Sequence, residues 1–276
     1  MTNKFIGYRH GQGFLYQLSG SSKMIFFILV SIAAMATYDT RFILALGLCS
    51  VILFRWAKIK WADISFAMTV VFLIALFNLL MVYLFSPSYG EEIYGAKTLL
   101  FAGWGRFYIT SQEVFYLFNL ILKYFCTVPL AILFLMTTHP SQFAASLNRI
   151  GLPYKLAYSV SLTLRYIPDV QEEFNMIKLS QEACGLELSK KANLIIRIKG
   201  NLQIVIPLIL GSLERIDTIA TAMELRRFGK FKKRTWYQAQ PATAKDWLVL
   251  ALALLILLIS IGLIFLNQGR FYNPWA

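Results

Sequence analysis

From Trp247 to Leu266 the chain runs twenty residues without a charge, and about 20 apolar residues are what a helix needs to cross a hydrocarbon layer about 30 Å thick. Four further runs share this texture. Met24 to Ala36 and Phe42 to Phe54 form a pair of short spans, kept from merging into one helix by Asp39 and Arg41 between them. Ile64 to Phe85 is long and uncharged, and Val114 to Met136 is interrupted only by Lys123. Composition agrees: 58% of the 276 residues are hydrophobic and 15% charged, where soluble domains average about 45–50% and about 25%. Mean hydropathy is +0.59. These features predict an all-α, polytopic membrane protein with about five transmembrane helices.

The formal net charge of +13 must therefore be concentrated between spans. Residues 137–240 hold 15 Lys and Arg against 8 Asp and Glu. Apolar residues recur there at helical spacing, as in Ile209, Leu213, Ile216, Ala220 and Met223, so the segment reads as amphipathic helices. Pro140, Pro153, Pro168 and Pro207 stand where such helices are expected to start, and Gly151, Gly185, Gly200 and Gly229 where they are expected to stop. The expected organisation is a membrane part at 1–136 with four transmembrane helices, a cytoplasmic module of amphipathic helices at 137–240, and the last span with an external tail at 241–276. Cytoplasmic loops retain Lys and Arg. Placing the long segment inside puts 22 of the 27 basic residues there and leaves Arg41, Lys97, Arg106 and Arg270 outside, with Lys123 in a span. The N-terminus is then cytoplasmic and the C-terminus external. The first 22 residues lack the apolar core of a cleavable signal, so the first span is expected to direct its own insertion.

Catalytic signatures are missing from the sequence. There is no phosphate-binding G-x-x-x-x-G-K-[ST], no H-E-x-x-H and no G-x-S-x-G, and the two histidines, His10 and His139, lie far apart. Cys49, Cys126 and Cys184 show no metal-ligand spacing. Every Asp and Glu falls at a span end or in a loop, whereas a proton-driven carrier places carboxylates within its spans. The chain is expected to be a non-enzyme whose driving energy comes from another polypeptide. Lys123 is a functional candidate by its depth; packing against neighbouring helices, pairing with a carbonyl or snorkelling is the alternative. Asn78 and Asn119 read as interhelical hydrogen-bonding groups.

The stretch from Ile206 to Gly229 carries the sharpest signal. Arg215, Thr218, Ala222 and Arg226 follow at intervals of three and four, so small residues separate two guanidinium groups on one helix face. Small residues admit another backbone closely, and the terminal arginine offers a rigid fork of donors. A solvated charge favoured by the helix dipole is the plainer reading of Arg226.

The segment Ala222-Met-Glu-Leu-Arg-Arg-Phe-Gly229 resembles the A-M-E-x-R-G-F signature of the transmembrane T component of energy-coupling factor (ECF) transporters, micronutrient importers driven by ATP-binding cassette ATPases. The resemblance continues upstream, in the family's order, through Leu164-Arg-Tyr-Ile-Pro168 with Glu172 and Glu173, Gly151-Leu-Pro153 and Thr137-Thr-His-Pro140. It extends more loosely to Ile109-Thr-Ser-Gln-Glu113 and Leu18-Ser-Gly-Ser-Ser-Lys23. It implies a scaffold that couples ATP hydrolysis by two partner ATPases to movement of a membrane-embedded substrate-binding S component, for vitamins or other micronutrients. ATP and Mg would be used by the ATPases, and no cofactor would be bound by this chain. It also implies two ATPase-docking motifs of the form x-Arg-x. The second maps to Leu225-Arg226-Arg227, supported by Arg215, Ala222 and Glu224. The first maps to Ala183-Cys184-Gly185, where the family's arginine is replaced by a cysteine that cannot supply a planar cation. Arg227 in turn replaces the usual glycine of the second motif.

Two other classes compete. A membrane insertase or integral membrane enzyme with a cytoplasmic insert requires a charged groove or clustered His and carboxylates within the spans, and Lys123 alone supplies neither. Binding of nucleic acid requires a block of like charge, whereas here the positive charge is interleaved with acids. Only Lys230 to Arg234 has that character, and beside a bilayer it is suited to phospholipid headgroups.

Overall fold

The computed structural model describes residues 13–57, 59, 61–95, 98–101, 109–185, 194–231, 235–237 and 240–274. Lys4, Arg9, His10, Lys58, Lys60, Lys97, Arg106, Lys190, Lys191 and 232–234 lie outside the described residues.

Each expected span is present as a helix that begins before its apolar run, in most cases at a capping residue. Ser19 accepts the N–H of Ser22 and so starts α2 at Gly20–Ala36, four residues before the apolar run. A short α1, Phe14–Gln17, precedes it. Asp39 accepts the N–H of Arg41 and starts α3, Thr40–Trp56. Next come α4, Trp61–Phe85, and α5, Tyr89–Tyr94. A small antiparallel pair, β1 at Leu99–Phe101 and β2 at Ile109–Thr110, leads into α6, Ser111–Thr137. The remaining helices are α7 at Pro140–Arg149, α8 at Tyr154–Ala183, α9 at Leu194–Leu225 and α10 at Ala244–Leu266. Among the described helices α4, α6 and α10 are long and apolar enough to cross a membrane, while α2 and α3 have 17 residues each, the lower end of the spanning range of about 17 to 25.

The chain divides into two compact units, Met1–Phe143 with Ala239–Ala276, and Ala144–Gln238. In the first, hydrogen bonds between helix ends establish an alternating arrangement. At one end Asp246, in the first turn of α10, accepts the Ser19 N–H at 2.9 Å, and Lys23 of α2 donates to the last α6 carbonyl, Thr137, at 2.8 Å. At the other end Asn267 beyond α10 donates to Asp39 at 3.0 Å, and Tyr38 pairs with Arg270 through its N–H at 2.7 Å. Thus α2 and α10 run parallel and α6 runs against them. Between the ends, Val30, Ala34, Ile43, Leu46, Cys126, Leu130 and Ala253 make the core, drawn from α2, α3, α6 and α10. Ile64 of α4 packs on Ile132 and Met136, which brings the start of α4 to the end of α6.

Lys123 takes the structural alternative. Its ammonium donates to the Met35 carbonyl at 2.9 Å, in the open last turn of α2, and lies 3.2 Å from the Tyr38 ring centroid. A cation there meets orphan carbonyls and the negative end of the helix dipole. Asn119, fully buried on the same helix, accepts the Thr40 hydroxyl at 2.7 Å and ties α6 to α3. Asn78 is half-buried on α4.

In the second unit two sequence expectations fail. Pro168 and Pro207 do not start helices but lie inside α8 and α9, and Gly200 lies inside α9 rather than at its end. A proline removes one N–H and bends the axis. It does not end a helix whose remaining turns are held against a neighbour. Pro140 does open α7, with His139 accepting the Ser141 N–H at 3.2 Å, and Pro153 is the cap of α8.

Candidate coupling site

The helices that follow α6 end in closely related ways. After α7, Gly151 at φ 119° donates to Asn148 O, and Leu152 to Leu147 O. After α9, Arg227 at φ 54° donates to Glu224 O at 2.8 Å, and Phe228 to Met223 O at 2.9 Å. Both are the paired hydrogen bonds of a Schellman cap, whose turning residue must be left-handed. After α8 the turning residue is Gly185, at φ 89°, donating to Glu182 O at 3.1 Å.

Both proposed docking motifs therefore occupy one structural position. Ala183 and Leu225 end their helices, Cys184 and Arg226 are the cap residues, and Gly185 and Arg227 are the left-handed residues that follow. Cys184 and Arg226 each still donate a helical N–H, to Ser180 O at 3.1 Å and Ala222 O at 3.2 Å. All six residues are exposed, Leu225 at 81%. A guanidinium at the C-terminal end of a helix is favoured by the dipole, and that of Arg226 belongs to an exposed residue there.

The two motifs stand at opposite ends of an antiparallel pair. Phe228 packs between Tyr154 and Tyr158 at the start of α8, with centroids 5.2 and 4.8 Å away. The Lys155 stem lies against Gly229, and Trp236 donates to Asn148 at 3.1 Å. Midway, Arg215 of α9 binds Glu173 of α8 at 2.6 Å, beside Gly211. From Tyr158 to Cys184 the α8 helix rises on the order of 35–40 Å. Cys184 and Arg226 are thus far apart although built alike.

Arg215 forms this bridge, and Thr218, Ala222 and Arg226 of the same stripe are exposed. Glu224 is exposed too, and its carbonyl accepts the Arg227 N–H. The apolar face of α9 is likewise uncovered at Ile209, Leu213 and Ile216, each more than half exposed. Lys123 and Asn78 belong to the membrane unit and take no part. The sequence reading missed the aromatic seat of Phe228, although the alternation of Tyr154 and Tyr158 with the aromatic after the second motif is its trace. It also missed Asp246, which looks like an ordinary acid before a span.

The more loosely matching segments prove to be fastenings. Thr110 caps α6, Gln112 accepts from Thr98 through N–H and hydroxyl at 3.2 and 3.0 Å, and Glu113 accepts the Gly90 N–H at 2.7 Å. These bonds tie β1 and α5 to the first turn of α6.

Comparison with known proteins bears on this geometry. The model of the family CbiQ, cobalt transport protein, matches residues 11–237. The chain is 24% identical over 269 residues to the energy-coupling factor transporter transmembrane protein EcfT of Staphylococcus aureus, covering 94% of this chain and 97% of that protein. It is 28% identical over 274 residues to the protein of the same name from Brevibacillus brevis, covering 95% and 98%. A third, from Lactococcus lactis, is 23% identical over 270 residues, covering 95% and 98%.

Proposed function

The chain belongs to the CbiQ family as a multi-pass transmembrane component of an energy-coupling factor transporter, and from that premise we propose that it is the non-catalytic scaffold joining two ABC ATPases to an S component. The coupling module is residues 137–240. Its two helix caps engage one ATPase each, through Arg226 with Leu225 and Arg227, and through Cys184 with Ala183 and Gly185. ATP and Mg are bound and used by those partners, consistent with the missing phosphate loop. The S component selects the cargo, a vitamin or other micronutrient, and rests on the uncovered apolar face of α9.

One observation carries this reading: two exposed caps of the same construction at opposite ends of one helix pair. A two-fold related pair of ATPases offers two like grooves set apart, and needs such a device. Orientation follows the basic residues, with the module and the N-terminus cytoplasmic and the C-terminus external.

Affinity purification in mild detergent tests it. Recovery of two ATPase chains, identical or different, together with a small hydrophobic membrane protein is the expected result. Recovery of the chain alone under conditions that preserve a control transporter, or ATP turnover by the isolated chain, defeats the scaffold reading.

A further inference from the structure

We propose that a lateral groove in the membrane unit holds an acyl chain of an anionic phospholipid, with the headgroup met by Arg55 and Lys245. The groove has a volume of about 620 Å³. Buried or half-buried residues of α2 and α6, among them Phe27, Val30, Leu130 and Phe134, form its floor, and exposed residues of α3 and α10 form its walls. Ala45, Cys49, Ile52 and Trp56 stand on one side and Leu248, Leu252 and Ile259 on the other.

Its shape admits an acyl chain. The wall from Phe42 to Trp56 rises about 20 Å, so the groove runs lengthwise along the spanning helices. An extended hydrocarbon chain, about 4 Å across at van der Waals contact, lies along it. The few polar lining groups are already committed: Lys23 donates to Thr137 O, and Ser50 to Gly47 O at 2.7 Å. Most of the remaining lining is apolar, and each buried methylene contributes about 0.8 kcal/mol.

Charge selects the headgroup. Lys23 lines the groove at the end where α2 and α10 begin and α3 finishes. Lys245 lies there, 5.8 Å from the centroid of Phe14, itself a lining residue, and Arg55 precedes Trp56 in the last turn of α3. Asp246 at this end, whose oxygens accept from Ser19 N–H, Thr243 N–H and the Thr243 hydroxyl, sets one negative charge against the three positive charges of Lys23, Lys245 and Arg55, so the excess there is positive. Trp56 and Trp247, 69% and 67% exposed, stand at the same level, as indoles do at a headgroup boundary. An anionic phosphodiester above an apolar slot matches both halves.

Native mass spectrometry of the purified full chain tests this, using dioleoyl phosphatidylglycerol and dioleoyl phosphatidylcholine at equal concentration. One phosphatidylglycerol should be retained per chain, at least tenfold in preference to phosphatidylcholine. The pair Arg55→Glu with Lys245→Glu should bring the preference close to one, and Ala45→Phe with Cys49→Phe should remove retention of both lipids. Thermal unfolding of each variant verifies folding, and Ala45→Leu alone supplies a milder filling of the slot if the double variant fails to fold. Equal retention of the two lipids by the native chain, or undiminished phosphatidylglycerol in a folded, groove-filled variant, overturns the proposal. Loss of a co-purifying hydrophobic protein on filling, with lipid retention unchanged, assigns the groove to a protein helix instead.

Discussion

Cys184 and Arg226 stand at the same place in their helices, each the cap residue before a left-handed turn, at Gly185 with φ 89° and at Arg227 with φ 54°. One position carries a guanidinium and the other a thiol. The proposed anchors are therefore alike in backbone and unequal in chemistry, and their substitution should be unequal too.

Arg226→Ala is expected to cost about 2–5 kcal/mol of ATPase association, as loss of one partner of a buried charged hydrogen bond does, and to uncouple transport. Cys184→Ala should be mild, and Cys184→Arg should strengthen association. Complex recovery and ATP-dependent uptake measure all three. Normal assembly and transport by Arg226→Ala would remove the docking role, and a severe Cys184→Ala defect would reverse the assignment.

The second cap is strained where the first is not. A non-glycine residue in the left-handed region costs about 1–2 kcal/mol, so Arg227→Gly should raise the thermal midpoint of the folded protein and Gly185→Ala should lower it. The effect comes from the backbone, so Arg227→Ala should stabilise less than Arg227→Gly. Equal midpoints for Arg227→Gly and Arg227→Ala would rule out strain as the cause.

Gly90 faces backbone at the start of α6. A Cβ there would lie 2.7 Å from both Cα and N of Glu113, atoms that cannot swing aside. Gly90→Ala should destabilise by about 1–3 kcal/mol and loosen α5, seen as faster amide exchange at residues 89–95. Unchanged exchange would contradict that packing.

Asp246 joins the starts of α10 and α2, accepting from Thr243 and from Ser19. Asp246→Ala leaves a buried N–H of α2 unpaired, so a loss of about 1–3 kcal/mol is expected. Ser19→Ala retains the backbone N–H that Asp246 binds and should cost less, about 1 kcal/mol for the lost cap. Thermal unfolding in detergent ranks the two, and the reverse order would show that the cap outweighs the interhelical bond.

Topology has a native reporter. Cys184 is exposed at the end of α8, while Cys126 is buried. With the other exposed thiol, Cys49, replaced by serine, a membrane-impermeant maleimide should modify Cys184 in opened membranes and not in intact cells; labelling in intact cells would invert the orientation.

The membrane-spanning elements were legible in the sequence because apolar length is a local, additive property that lipid enforces segment by segment. The caps only sharpened their ends, as Ser19 moved the start of α2 to Gly20. The two proposed docking motifs were assigned by resemblance, and the structure adds that both fall at helix caps. The role of Lys123 was decided by the tertiary structure. Its depth in α6 made it costly, and only the arrival of the α2 terminus gave it the Met35 carbonyl and the Tyr38 ring. Likewise Pro168 and Pro207 read as helix starts, because a missing N–H is a local penalty, yet α8 and α9 continue through both. The placing of Cys184 and Arg226 at opposite ends depends on the antiparallel fit of α8 against α9 through Glu173, Arg215 and Phe228. Such pairings join residues tens of positions apart, and no single stretch of sequence contains both partners.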